Sequence, residues 1–219
     1  MRDARYISSI LTSSDGFFIV PDYHRGYVWQ TKQVLQLLND IDNIKLEKAD
    51  DYLYLGSIYY LEKRYSNNRE YNELIDGQQR ITTIMLTLKE IIDRVRTDDP
   101  KNDNLEKFEM GLFDYQDKNR IRLTSKIYDN NNFFRNYITK GIINRRLSTD
   151  INILTSELAI KNAITLIKEY LSDMKIEFWR GFSSKLVERT KVTIIQVSES
   201  DDCIQIYNSL NTKGLNLEI

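Results

Sequence analysis

Residues 73–95 read ELIDGQQRITTIMLTLKEIIDRV. A carboxylate (Asp76), two amides (Gln78, Gln79) and a guanidinium (Arg80) surround one glycine (Gly77), where an apolar extended tripeptide gives way to a helical pattern. A strand feeding a helix through a tight turn leaves the first helical N–H groups unpaired. Those groups and the helix dipole favour anions, phosphates above all. Gly77 lets the backbone turn sharply and lets a ligand come close. Arg80 falls in the first turn, where its planar fork can grip phosphate oxygens. Gln78 and Gln79 can donate to phosphate or sugar oxygens, or orient a water. Asp76 would repel a bare phosphate. It makes most sense holding a divalent metal that bridges to phosphates, or acting on an attacking water. The plainer reading stands beside this one: Asp is a common N-cap, Asp-Gly an ordinary turn, and Gln and Arg serve on any helix surface.

A second cluster, PDYHRGYVW (residues 21–29), places Arg25 among Tyr23, Tyr27 and Trp29. That mixture can stack on a base and hold a phosphate. Taken alone, it is better explained by aromatics anchoring a loop with Arg25 stacked on them. His24 is the only histidine, so a histidine metal cluster is excluded and a Ser–His–Asp triad would have to use it. Cys203, the only cysteine, reads as a small buried residue rather than a nucleophile. No P-loop, dinucleotide fingerprint or zinc-ligand spacing is present.

These residues need elements to position them. GFFIV (16–20) has the content of a strand that Pro21 ends. From Thr31, a plausible N-cap, Val34, Leu37, Leu38 and Ile41 recur at helical spacing. YLYLGSIYYLE (52–62) and ELI (73–75) flank a turn and predict a β-hairpin. After Asp-Gly, residues Ile81 to Val95 place apolar side chains on one face of a long helix, which TDDPKNDN (97–104) ends. Residues 105–190 are polar and largely helical, and read as an inserted helical subdomain. KVTIIQV (191–197) is the strongest strand pattern, and CIQIYNSL (203–210) a short helix. The organisation predicted is an α/β core over 1–104, a helical insertion over 105–190 and a return strand and helix over 191–219, giving a mixed α/β fold.

Composition bounds the function. The chain has 219 residues and a formal net charge of −1, which argues against a surface coated in positive charge for non-specific DNA binding. A single cysteine excludes an internal disulfide framework and suits a reducing compartment. No apolar run is long enough for a bilayer and no secretory signal opens the chain, so a cytoplasmic protein without membrane partners is expected. NTKGLNLEI closes the sequence without a final element, as in the front part of a longer protein.

Three stretches occur in the order and spacing of one family: VPDYHRGYVW (20–29), LGSIYY leading to LIDGQQRITTI (55–84), and IYNSLNTKGLNL (206–217). The chain resembles the N-terminal domain of GmrSD-type modification-dependent restriction enzymes, whose hallmark is Asp-Gly-Gln-Gln-Arg. Related proteins include phage-defence effectors that sense phosphorothioate DNA. The resemblance implies an α+β fold like the ParB/sulfiredoxin group, a small mixed sheet with helices plus a helical addition. It also implies binding and hydrolysis of a nucleoside triphosphate with Mg2+, coupled to DNA restriction. Asp76, Gln78, Gln79 and Arg80 carry over as catalytic residues, with Asp76 on the metal. Tyr23, Arg25, Gly77, Asn211 and Gly214 carry over as nucleotide-binding residues, beside Trp29 and Tyr207. The family usually has glutamine where this chain has His24, whose imidazole can also donate a hydrogen bond. A C-terminal nuclease domain, and DNA reached through the full-length protein, are the partners implied. The alternative is a non-catalytic module that senses modified DNA; a scaffold that only joins protein partners is a third reading, which the intact motif speaks against.

Overall fold

The computed structural model describes residues 4–11, 17–21, 23–64, 70–113, 122–125, 133–141, 151–172 and 174–198. Their elements run β1 (Ala4–Tyr6), α1 (Ile7–Leu11), β2 (Phe18–Val20), α2 (Thr31–Asp42), β3 (Leu53–Arg64), β4 (Glu70–Asp76), α3 (Gln78–Asp98), α4 (Leu105–Met110), β5 (Leu123–Ser125), α5 (Phe133–Lys140), α6 (Ile151–Ser172), α7 (Ile176–Glu188) and β6 (Thr190–Gln196). The six described strands form one mixed sheet in the order β1-β6-β3-β4-β2-β5. This is an α+β fold.

The expected hairpin is present: β3 and β4 pair antiparallel, Tyr60 opposite Leu74 and Glu62 opposite Asn72. β6 lies parallel to β3 on the other side. Their register slips between Tyr54 and Ser57, where Gly56 takes a φ of +85° that other residues rarely adopt. In β4, Asn72 to Ile75 are all buried, so both faces of the sheet are covered here. Leu74 joins the main core, while its neighbour Ile75 packs with Leu61 and Val197 on the other side.

Helix α3 departs from its sequence pattern. One apolar face was expected, yet Thr82, Thr83, Thr87, Lys89 and Glu90 are buried as well. The threonines are accommodated because their hydroxyls turn back on the helix: Thr83 donates to the Gln79 carbonyl and Thr87 to that of Thr83, each at 2.8 Å. The helix is thus a central pillar, wrapped by the sheet and by α4 to α7.

The stretch 105–190 is helical in α4 to α7, but it also contributes β5, which extends the sheet beside β2. Nor do its helices keep a core of their own. Phe134 and Tyr137 of α5, Ile164 and Ile167 of α6, and Trp179 and Phe182 of α7 join one apolar cluster with Leu38 of α2 and Leu88 of α3. At about 1.5–3 kcal/mol per large apolar side chain, this shared burial is what fixes α3 against the sheet. At α2 the N-cap is Gln30 rather than Thr31, its N–H donating to the Gln33 side chain at 3.2 Å. The helix expected over 203–210 lies outside the described residues. No described helix is long and apolar enough to cross a membrane.

Candidate functional site

The hinge of the site is Gly77, the N-cap of α3. Its φ of +101° and ψ of 0° are left-handed, and a Cβ there would lie 2.9 Å from Cγ1 of Ile58. Only glycine lets β4 pass into α3 this close to β3. The cap has no side-chain hydrogen bond, so Asp76 is not the ordinary helix cap that its position first suggests. Its Oδ2 instead accepts from Arg80 Nη2 at 2.9 Å. The same Arg80 nitrogen donates to the Ser57 carbonyl at 2.8 Å, and Nη1 donates to the Leu55 carbonyl. These carbonyls flank the Gly56 bulge, where a Cβ would stand 2.8 Å from Arg80 Nη1. The bulge therefore exists to admit the guanidinium.

The second amide of the motif works on the loop opposite. Gln79 Oε1 accepts from the backbone N–H groups of Val28 (3.0 Å) and Trp29 (3.4 Å), and Nε2 donates to the Gly26 carbonyl at 3.1 Å. Gln78 Nε2 donates to the Arg25 carbonyl at 2.9 Å. Two consecutive glutamines thus clamp residues 25–29 against the start of α3. One turn on, the buried Tyr27 hydroxyl meets the Thr83 hydroxyl at 2.8 Å.

Loop and helix start enclose a cavity of about 150 Å³, lined by His24, Arg25, Trp29 and all five residues from Asp76 to Arg80. Arg25 is exposed, and no described residue pairs with its guanidinium or hydrogen-bonds to it. Gln78 is 5% exposed, and its Oε1 is buried without a hydrogen-bond partner among the described residues. The described residues thus leave a cation, Arg25, and an acceptor, Gln78 Oε1, without partners at this site. His24 is buried beside them, and burial pulls its pKa below the usual histidine value against the opposing pull of the Leu74 backbone, Asp76 and Glu73. Its imidazole is neutral near pH 7, with one donor and one acceptor nitrogen.

The sequence model of the family described as "GmrSD restriction endonuclease, N-terminal domain" matches residues 7–219. The chain belongs to the GmrSD N-terminal domain family. A comparison with curated proteins found no match.

In this GmrSD-type domain the structure brings most of the sequence-predicted residues to one place. Asp76, Gly77, Gln78, Gln79, Arg80, Arg25 and Trp29 all line the cavity. Gln79 does so with both ends of its amide committed to the loop. Tyr23 is not among the lining residues: its hydroxyl donates to Glu73 at 3.0 Å and its ring packs on His24. Asn211, Gly214 and Tyr207 lie outside the described residues. Sequence reasoning passed over Gly56, although a glycine inside a strand pattern signals a bulge. The donor set suits Mg2+ in one way. Among the described residues no three His, Cys, Asp or Glu side chains are grouped to cage a metal. Mg2+ does not need such a cage, because it keeps waters and binds through one or two carboxylates plus substrate phosphates. Asp76 is one such carboxylate, its side chain one-third exposed.

Proposed function

We propose that the cavity binds the phosphate chain of a nucleoside triphosphate and hydrolyses it with Mg2+, and that this step regulates DNA restriction by a longer protein of which this chain is part. The observation that carries the reading is the convergence around one cavity of the Asp76–Arg80 pair with the Arg25 guanidinium and Gln78 Oε1, neither of which has a partner among the described residues. A guanidinium left without a carboxylate at a helix N-terminus is suited to an anion.

The roles divide by what each group has left to give. Arg25 binds phosphate oxygens, since no described residue occupies its donors. Arg80 is fixed by the bulge carbonyls and Asp76, so it presents its remaining N–H donors from a rigid frame, which adds geometric selectivity. Gln78 gives one of its two amide N–H groups to the loop. Its Oε1, without a partner among the described residues, is an acceptor, which a phosphate oxygen cannot satisfy; a water or hydroxyl O–H can. Gln78 therefore orients the attacking water. Gln79 positions Arg25 by holding the loop. Asp76 would hold the metal, which supplies charge neutralisation across the phosphate oxygens when bound. At about 150 Å³ the cavity is well below the roughly 300–1,000 Å³ of a pocket that swallows a whole ligand. It accepts the phosphate end, with sugar and base outside.

Phosphate release from several nucleoside triphosphates in the presence of magnesium tests this. Wild type should turn over, and Asp76→Ala should not while keeping its melting curve. Equal release by the two proteins would overturn the reading. Salt-dependent binding of modified over plain DNA with no phosphate release would replace it with a sensing module.

A further inference from the structure

A second cavity, of about 330 Å³, lies where the later turns of α3 face the end of α6. Glu90 is about 18 Å along α3 from Gln78, so this cavity is separate from the first. Three carboxylates line it, Glu90, Asp93 and Asp98, against two cations, Arg94 and Lys168. Most of these charges are already spent. Arg94 donates Nε to Asp98 at 3.0 Å, Nη1 to the Leu171 carbonyl at 2.5 Å and Nη2 to the Met174 carbonyl at 3.0 Å. Asp93 accepts from Lys89.

Glu90 is the exception. It is 8% exposed, and its Oε1 is buried with no hydrogen-bond partner among the described residues. The nearest cation, Lys168, stays 3.9 Å away, beyond hydrogen-bond reach, with its Nζ over the Tyr137 ring and its side chain half exposed. A buried acceptor with no donor costs about 1–3 kcal/mol, more when charged. Glu90 is one of the residues that line the cavity. A cationic donor would suit this carboxylate oxygen best. Leu171 adds an apolar wall, which suits a methylene chain rather than a bare ion.

We propose that this groove binds a small alkylammonium ligand of the diamine type, whose ammonium group donates to Glu90 Oε1 in place of the distant Lys168. The site does not depend on the nucleotide reading. Binding is coupled to a proton. Burial raises the Glu90 carboxyl to about 7, with Lys168 and Lys89 pulling it down and Asp93 pushing it up; Arg94 and the Tyr137 ring also face this region. A bound cation favours the carboxylate, so the ligand expels a proton and binds more weakly as pH falls.

Calorimetric titration of the chain with putrescine tests the proposal, with butanediol as the neutral isostere and magnesium chloride as the metal control. Saturable binding is expected at about pH 8, weaker by about tenfold at about pH 6. Glu90→Gln should weaken it about tenfold or more, as loss of a charge-assisted hydrogen bond does. Lys168→Met, which removes the competing cation, should tighten it. The Lys168 variant also decides the matter should Glu90→Gln fold poorly. No saturable putrescine binding by wild type, equal binding of butanediol, or an affinity unchanged by Lys168→Met would each overturn the site.

Discussion

Asp76 and Arg80 are joined by a 2.9 Å ion pair that spans the last residue of β4 and the first turn of α3. The pair is partly exposed, and its Coulomb energy alone is modest. Its importance is geometric. Arg80 also donates to Leu55 and Ser57 on β3, so one guanidinium ties strand, bulge and helix into a single frame and leaves the Asp76 carboxylate facing the cavity.

The two arginines should therefore separate under mutation. Arg80→Ala strips donors from two strand carbonyls and a partner from Asp76, and should destabilise the fold by about 1–3 kcal/mol in urea unfolding. Arg25→Ala removes a side chain with no described partner, and should shift stability by no more than about 0.5 kcal/mol.

Gly77→Ala forces a left-handed φ on alanine and sets a methyl group against Ile58. A loss of about 1–3 kcal/mol is expected from the backbone alone. At this chain length that is a fall of several degrees in Tm. Gly56→Ala should cost stability too, and should also disturb Arg80, because its Cβ would press on Nη1.

Gln79→Leu keeps the volume of the clamp and removes its three hydrogen bonds to residues 26–29. Amide exchange at Val28 should accelerate, while exchange within α6 stays unchanged, if the clamp acts locally.

Glu90 gives stability a specific pH dependence. Its carboxyl is raised in the folded state from 4.5 to about 7, so over that window the folded protein holds a proton that the unfolded chain has lost. Its contribution is therefore present at low pH and is lost as pH rises towards 7, by up to about 3 kcal/mol. Glu90→Gln carries no such proton. The stability of that variant relative to wild type should climb between about pH 4.5 and 7, then level off. His24, lowered by burial, works in the opposite sense, losing stability as pH falls through the usual histidine range.

Much of the site was legible because its signals were local. The Asp-Gly hinge, the apolar alternation of the hairpin and the helical spacing after Gln78 are patterns of residue type at short range, and they placed Asp76 to Arg80 where β4 becomes α3. The loop at residues 24–29 could be connected to them only through the family resemblance, since nothing in its own spacing says what it faces. The clamp itself was invisible for a physical reason: Gln78 and Gln79 bind backbone groups, which leave no residue signature. β5 and β1 escaped because three residues are too few to show a period, and all of β1 is exposed. The burial of α3 on nearly every side was hidden by threonines, which read as polar in sequence but satisfy themselves on the helix. Glu90 and Lys168 are far apart in sequence, and only the packing of α6 on α3 brings them to one cavity.

The central claim, that Arg25 and the Asp76–Arg80 frame form one phosphate-binding cavity, is tested most directly by titrating a non-hydrolysable nucleoside triphosphate with magnesium into wild type and Arg25→Ala. The account predicts saturable binding by wild type and at least about tenfold weaker binding by a variant whose melting curve is unchanged. Equal affinity in the two proteins, or no binding by wild type, would contradict it.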